Sequence, residues 1–257
     1  MNEFRLTHLR MPEVTEAKFE VAVFPIGSTE PHAFHLAYGT DLFAVERFAE
    51  RAVAKANEQG AKCLLLPTLP ISCNENVRHC PWAMSLQPRT LMDIVLDVVT
   101  TCERNGVRKV IIINGHGGNT HVLQASLREL ASKSSAFVGF TEQFGLSADV
   151  EAELQETAET GHACEMETSV LLYLAPEHAK MDEAKPTRTR KSVFSDPRSI
   201  FFVKPWHIYT LNCGIGDPTK ATADKGRRMV DTAVDRLAQA LKELSDAPID
   251  QLFPMRD

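Results

Sequence analysis

Short, continuously apolar segments alternate with longer segments of helical periodicity along this chain of 257 residues. VAVFPI and VIII are uninterrupted apolar runs, which is the character of strands buried on both faces. The alternation predicts an α/β fold with a mostly parallel central sheet that is covered on both faces by helices. Predicted strands cover 20–27, 62–67, 109–114 and 136–140, and predicted helices cover 42–60, 88–106, 119–132, 163–176 and 221–246.

The chain has no Gly/Ser-rich linker and no internal repeat, so we predict a single domain over residues 1–257. The stretch 177–220 is rich in Pro, basic and aromatic residues and has weak periodicity. We predict that it forms a long excursion over the surface or onto a neighbouring subunit, because long loops inside compact domains are usually functional.

Charge and hydropathy exclude two classes of partner. The net charge of −6 and the absence of a basic tract argue against nucleic-acid binding, and no stretch approaches the roughly 18 apolar residues of a membrane helix. The polar first twenty residues lack the apolar core of a secretory signal, which predicts a cytoplasmic protein. The six cysteines include no Cys-x-x-Cys pair and are expected to be mostly buried, reduced thiols.

A polar cluster, GSTEPHAFHLAYGTD, follows the first predicted strand. Glu30 and His32 are two residues apart, so in extended backbone they point to the same side. Asp41 falls at the expected start of the next helix, where a lone Asp would be interpreted as an N-cap. Carboxylate oxygens combined with imidazole nitrogens suit Zn²⁺ or Mn²⁺, so the set as a whole predicts a metal site.

The third predicted strand ends in NGHGGN, at the carboxyl edge where open α/β sheets bind ligands. The glycines around His116 leave room for a metal or substrate. An anion cradle at the following helix is an alternative, although the segment contains no Lys and matches no phosphate-binding signature.

The segment TGHACEMETS precedes the apolar run VLLYLA. If the helix begins near His162, then His162 and Glu165 lie three residues apart on one face, and Glu167 points elsewhere. Surface or capping roles are the alternative, but charged groups that open a buried helix usually have partners.

The three clusters, in this order, resemble the motifs of the creatininase (creatinine amidohydrolase) family, and the resemblance runs from about residue 20 to 245. It implies a three-layer α/β/α sandwich, a two-metal centre and hydrolysis of C–N bonds in cyclic amides or formamides. Carried over by position, Glu30, Asp41 and His116 would bind one ion. His32, Asp41 and Glu165 would bind the other, and Asp41 would bridge. Zn or Mn is expected, and Fe and Co also fit the ligand types.

Departures from the family pattern bear on the substrate. Gly118 stands where the creatinine-hydrolysing members carry a ligand Glu, and the chain has only two Trp residues, Trp82 and Trp206. Both facts argue against creatinine and indicate the broader branch of the family. Cys164 replaces a Gly beside the proposed ligand Glu165 and is expected to be inert packing or, as the alternative, a soft donor.

We hypothesise a binuclear amidohydrolase in which metal-activated hydroxide attacks the amide carbonyl of a small substrate. His162 is the candidate proton carrier to the departing nitrogen, and Glu167 either holds His162 or caps the helix. His35 would orient a ligand or the loop. Family members are commonly hexamers, which predicts a homo-oligomer.

Three other readings stay open at this point. The Gly-rich loop at 114–119 would serve a non-enzymatic phosphate- or nucleotide-binding module. An inactive hydrolase scaffold would retain zinc structurally, although such sites are usually Cys-rich. A cysteine hydrolase would use Cys164 with His162.

Overall fold

The computed structural model describes residues 3–196, 200 and 202–255. Within them lies a four-stranded, all-parallel sheet with the order β2-β1-β3-β4. Its strands are β1 (Val21–Ile26), β2 (Cys63–Leu65), β3 (Lys109–Asn114) and β4 (Phe137–Glu142). The helices are α1 (Met11–Glu16), α2 (Thr40–Glu58), α3 (Pro88–Arg104), α4 (Thr120–Lys133), α5 (Ala148–Leu154), α6 (Glu165–Leu174), α7 (Trp206–Tyr209) and α8 (Ala223–Asp246).

Helices cover both faces of the sheet, which confirms the α/β class. Alternate residues of β1 divide between two cores: Val21 and Val23 pack with α2, α6 and α8, whereas Ala22 and Phe24 pack with α3 and α4. This division follows from the two-residue period of a strand, which sends successive side chains to opposite faces. Every residue of β1 is therefore buried, as its uninterrupted apolar sequence requires.

The predicted elements agree with the structure to within a few residues at each end. Gly60 and Gly106 adopt positive φ directly after α2 and α3, where glycine commonly terminates a helix. The short helices α1, α5 and α7 were not predicted, because segments of four to seven residues carry too little periodicity. No helix among the described residues is long and apolar enough to cross a membrane.

Strand order places a crevice between β1 and β3. From β1 the chain passes through α2 on one face of the sheet, and from β3 it passes through α4 on the opposite face. The loops that leave these neighbouring strands therefore diverge at the carboxyl edge, and ligands of open α/β sheets bind at such switch points. The segments that contain Glu30 and His116 follow β1 and β3 directly.

Candidate metal centre

A cavity of about 410 Å³ opens at this switch point. It is lined by side chains from all three polar clusters of the sequence, together with the segment 202–216. Residues remote in the chain thus meet at one place because three loops leave the same edge of the sheet. The lining includes Glu30, Asp41, His116, His162, Glu167 and Trp206.

Glu30, Asp41 and His116 form the first group of ligand atoms. The Nδ1 atom of His116 lies 2.7 Å from Oε1 of Glu30 and 3.0 Å from Oδ2 of Asp41. All three residues are buried. Asp41 reaches the group from the first turn of α2, where Gly39 occupies the N-cap position and the helix has no side-chain cap bond. Asp41 is therefore not an N-cap.

His32, Asp41 and Glu167 form the second group. The Nε2 atom of His32 lies 3.0 Å from Oδ1 of Asp41 and 3.7 Å from Oε1 of Glu167. The two carboxylate oxygens of Asp41 thus face different imidazoles, one in each group. This is the arrangement of a bridging carboxylate.

Backbone carbonyls indicate which nitrogen of each imidazole carries a proton. Nδ1 of His32 lies 3.0 Å from the carbonyl oxygen of Glu30, and Nε2 of His116 lies 3.1 Å from that of Cys73. A carbonyl only accepts, so these two nitrogens donate. In a neutral imidazole the other nitrogen then presents a lone pair, and in both residues that nitrogen faces carboxylates. Lone pairs and carboxylates repel unless a proton or a metal cation lies between them.

Glu30 provides the sharpest indication of a cation. It is 1% exposed, and neither carboxylate oxygen accepts a hydrogen bond of regular geometry from a described residue, although Nδ1 of His116 lies 2.7 Å from Oε1. A buried charge without a partner costs several kcal/mol, roughly, and is rarely retained. The donor set fits a divalent cation held by oxygen and imidazole nitrogen.

The electrostatics of the metal-free protein follow from the same contacts. Burial alone disfavours the charged form of His32 and His116, but the surrounding carboxylates outweigh it and raise both pKa values well above the ordinary value. Burial opposes ionisation of Asp41 as well, yet His32 and His116 hold its pKa far below the usual range. Without metal, the charged forms of these imidazoles and of Asp41 therefore stabilise one another.

The expectation that Glu165 joins the second group is wrong. Its carboxylate turns away from His32 and is held 2.5 Å from Nζ of Lys225, and it also accepts from Oγ1 of Thr157 at 2.7 Å and from the backbone N–H of Thr157 at 2.8 Å. The carboxylate that faces His32 and Asp41 belongs to Glu167.

The error has a local cause. Helix α6 begins at Glu165 and not near His162, because Ala163 adopts φ of 52° and Cys164 is the N-cap. Spacing rules for a helix face therefore do not apply to His162. Within the helix, residues two apart point in nearly opposite directions, which separates Glu165 from Glu167.

His162 lies beside the second group. Its ring packs 4.1 Å from that of His32, and its Nδ1 lies 3.9 Å from Oε2 of Glu167. Nε2 lies 2.9 Å from the carbonyl oxygen of Pro31 and so donates its proton there. Oε2 of Glu167 also accepts a hydrogen bond from the backbone N–H of Ala163. Glu167 thus contacts the turn that opens α6 as well as His32.

The sequence did not indicate two features near the cavity. Trp206 packs edge-on 5.2 Å from the His162 ring and lines the cavity, whereas Trp82 is exposed. Ile215 exchanges backbone hydrogen bonds with His162, so the end of the 177–220 stretch forms a wall of the site. The weak periodicity of that stretch gave no signal for these contacts.

His35 and Gly118 lie outside the two groups of ligand atoms, next to residues that belong to them. His35 Nε2 lies 2.9 Å from Oγ1 of Thr168, one residue beyond Glu167. A Cβ atom at Gly118 would lie 2.4 Å from Nε2 of His116 and 2.4 Å from the Cys73 carbonyl oxygen. Any side chain at 118 would therefore disturb the His116 ring or its hydrogen bond. Cys164 is buried in the core that α2, α6 and α8 share.

Comparison with known proteins agrees with the geometry. The family model for creatinine amidohydrolase matches residues 7–241. The chain belongs to the creatininase family. As a family member it is a hydrolase of the amidohydrolase type.

Individual creatininase-family relatives differ in what they act on. The chain is 29% identical over 238 residues to the mycofactocin precursor peptide peptidase of Mycobacterium ulcerans (strain Agy99), and the match covers 84% of each chain. It is 23% identical over 243 residues to the creatinine amidohydrolase of Pseudomonas putida, which covers 87% of this chain and 89% of that protein.

Solved creatininase-family structures share the fold. A Bacteroides fragilis NCTC 9343 protein, provisionally named a creatinine amidohydrolase, superposes with a TM-score of 0.88 at 29% identity and covers 98% of this chain and 100% of that chain. A Mn creatininase and a variant creatininase of Zn–Zn type each give a TM-score of 0.75, at 21% and 20% identity, over 96% of this chain and 100% of theirs.

Proposed function

We propose that this protein is a binuclear metal-dependent amidohydrolase that cleaves the C–N bond of a small cyclic amide or formamide. The observation that carries the proposal is the pair of three-residue groups that share Asp41, with the buried carboxylate of Glu30 in one of them. Homology to solved Zn–Zn and Mn creatininases supports the same assignment.

Glu30, Asp41 and His116 would hold one divalent ion, and His32, Asp41 and Glu167 would hold the other. Zn or Mn suits these donors best, and Fe is compatible with them. Such ions supply Lewis acidity toward an amide oxygen and lower the pKa of water to about 7. The backbone carbonyls of Glu30 and Cys73 hold His32 and His116 with their other ring nitrogens facing carboxylates, where they would be oriented to bind the ions, as outer hydrogen-bond partners of metal-binding imidazoles do.

His162 is the candidate proton carrier. Because Nε2 donates to the Pro31 carbonyl, Nδ1 of the neutral ring is free to accept a proton, and it faces the cavity beside Glu167. The carboxylate of Glu167 would stabilise the imidazolium that forms. His162 would then give the proton to the departing nitrogen as a general acid.

The cavity favours a small, uncharged or weakly polar substrate. Its volume of about 410 Å³ lies near the lower end for ligand pockets, which run from about 300 to 1,000 Å³. Trp206, Ile215 and Met166 provide apolar walls, and the Gly117–Gly118 backbone provides room beside His116.

The rival phosphate-binding function is disfavoured by charge. An anion cradle needs a positive environment, and a helix N-terminus or basic side chain usually provides it. The cavity contains no Lys or Arg among its described lining residues, whereas five carboxylates line it: Glu30, Asp41, Glu142, Glu151 and Glu167.

A homo-oligomer, with a hexamer as its most specific form, stays our prediction. Large apolar side chains are exposed along the excursion, including Val193, Val203 and Leu211. Contact with a second copy would cover them. Light scattering coupled to size-exclusion chromatography measures the state directly, and a monomer at micromolar concentration would contradict the prediction.

The test of the function is a substrate screen. Protein loaded with Zn²⁺ or Mn²⁺ is incubated with lactams, formamides and small cyclic ureas, and release of amine or formate is followed. We expect turnover of at least one class by the loaded protein and none after chelation. Turnover that survives complete metal removal, or that the Glu30→Gln variant retains, would contradict the proposal.

A further inference from the structure

A second group of metal-ligating side chains lies outside the carboxylate site. Sγ of Cys80 lies 3.1 Å from Sγ of Cys213, and Nε2 of His79 lies 3.4 Å from Cys80 Sγ and 4.0 Å from Cys213 Sγ. These three ligand atoms fall within 4.8 Å of one another. None of the three residues belongs to the group around Asp41, and their donors are sulfur and nitrogen only.

The group joins two segments that are remote in sequence. His79 and Cys80 follow the short 3-10 helix Glu75–Val77, and Cys213 lies in the turn at 210–214. That turn is held internally: Oγ1 of Thr210 donates to the Gly214 carbonyl at 2.7 Å, and the Gly214 N–H donates to Oδ1 of Asn212 at 3.1 Å. The position of the Cys213 sulfur is therefore determined by its own loop before any metal binds.

The distances suit a tetrahedral ion. Ligand atoms on zinc, at about 2.3 Å for sulfur and about 2.0 Å for nitrogen, are separated from one another by roughly 3.5–3.8 Å. The three observed separations of 3.1, 3.4 and 4.0 Å lie on both sides of that range. Shifts of a few tenths of an ångström by the exposed His79 and the partly exposed Cys80 would bring them to it.

We propose that His79, Cys80 and Cys213 form a third metal site, which binds Zn²⁺ through two thiolates and one imidazole. Soft thiolate donors select zinc over the harder cations that carboxylates prefer. The fourth ligand is a water or an additional imidazole, and the ring of His207, 5.7 Å from that of His79, is the nearest candidate on the excursion. The site is structural, because none of the three proposed ligands lines the cavity that contains Glu30 and Asp41.

A metal explains this group better than a disulfide does. A disulfide would need only the two sulfurs at about 2.05 Å, and it would give the adjacent imidazole no role. Cys213 is 3% exposed, and its sulfur lies 3.1 Å from that of Cys80. Two adjacent thiolates in such a place need a cation to compensate their charge, and zinc provides it.

The consequence for the enzyme is mechanical. Asn76 is three residues before His79, and Ile215 is two residues after Cys213. Both residues line the cavity that contains Glu30 and Asp41. A zinc ion at the third site would tie these two walls of the cavity together. Its loss should raise KM for any substrate more than it lowers kcat, because the walls position the substrate but contribute no ligand to the carboxylate site.

Cobalt substitution tests the site and separates it from the carboxylate centre. Metal-free full-length protein is titrated with Co²⁺, and the near-ultraviolet sulfur-to-cobalt charge-transfer absorption is recorded. Only thiolate ligation gives this absorption, so ions at the Asp41 site are silent. We expect one equivalent of Co²⁺ with thiolate character in the unmodified protein. We also expect its loss in Cys80→Ser and in Cys213→Ser, and displacement by Zn²⁺.

Two control variants make the result decisive. Cys102→Ala removes a buried thiol that packs in the core with α3 and α4 and does not belong to the group, and it should retain the absorption. Glu30→Gln with His116→Ala should also retain it, even though the carboxylate centre is damaged, so failure of the proposed function and failure of this site are distinguishable. Absence of the absorption at saturating Co²⁺ would overturn the proposal. A Cys80–Cys213 disulfide, found by mass spectrometry in protein isolated without oxidant, would overturn it as well.

Discussion

Glu30 and Glu165 are equally buried and have opposite surroundings. Glu165 is 0% exposed and is satisfied by Lys225, by Oγ1 of Thr157 and by backbone N–H groups. Glu30 is 1% exposed, accepts no hydrogen bond of regular geometry from a described residue and faces His116. Burial alone therefore does not distinguish a structural carboxylate from a metal ligand. The partners distinguish them, because a carboxylate already surrounded by donors has no lone pair left for a cation.

The largest effect should come from replacing the carboxylate of Glu30 with an amide. Glu30→Gln should lose bound metal and lose activity by more than the roughly 10⁴-fold that removal of a general acid costs. Glu165→Gln is the matched control and should retain both metal ions, because its oxygens contact Lys225 and Thr157 instead. Elemental analysis together with kinetics checks both. A metal content in Glu30→Gln equal to that of the unmodified protein would contradict the assignment of Glu30 as a ligand.

His162→Ala should separate proton transfer from metal binding. His162 contacts Glu167 and Pro31 but belongs to neither group around Asp41. We expect full metal content and a fall in kcat of about 10²–10⁴-fold, measured by elemental analysis and steady-state kinetics. Metal loss in this variant would move His162 into the ligand set. An unchanged kcat would remove it from the mechanism.

Removing the ammonium group that pairs with Glu165 should destabilise the folded protein. Lys225→Met leaves the buried carboxylate of Glu165 without its cation, which should lower the free energy of unfolding by about 3–5 kcal/mol. The double variant Glu165→Leu with Lys225→Met removes both charges and should recover part of that loss. Denaturant unfolding measures both. A change below about 1 kcal/mol in the single variant would show that Glu165 does not depend on Lys225.

The smallest predicted effect concerns pH. Burial lowers the pKa of His35 from the ordinary 6.5 to about 4, against a smaller opposing effect of Glu167. The unfolded chain therefore binds a proton that the folded protein does not bind between these values, and stability falls as pH drops from about 6.5 to about 4, by about 3 kcal/mol. His35→Gln should flatten this part of the stability curve, measured by unfolding at successive pH values. An identical slope in the variant would contradict the assignment.

Most of the fold and most of the site could be predicted from the sequence. Apolar runs and helical periodicity located the strands and the long helices, because each is a local pattern. The convergence of Glu30, His32, Asp41 and His116 followed from their positions at strand ends, since the edges of a parallel sheet bring such residues together.

The missing parts depend on contacts between remote residues. Nothing in the local sequence indicates that Lys225 on α8 would hold Glu165, or that Ala163 would adopt a positive φ and delay the start of α6. Both facts decide which carboxylate reaches Asp41. The pairing of Cys80 with Cys213 across 133 positions likewise has no local signal. Spacing rules work inside an element and fail where an irregular turn precedes it.

The most direct test of the account is the location of metal in crystals of the loaded protein. An anomalous difference map collected at the absorption edge of the bound metal reports ion positions independently of activity. We expect two peaks around Asp41, one among Glu30, Asp41 and His116 and the other among His32, Asp41 and Glu167, separate from any peak at His79, Cys80 and Cys213. Peaks beside Glu165, or an absence of density around Asp41 at saturating metal, would contradict it.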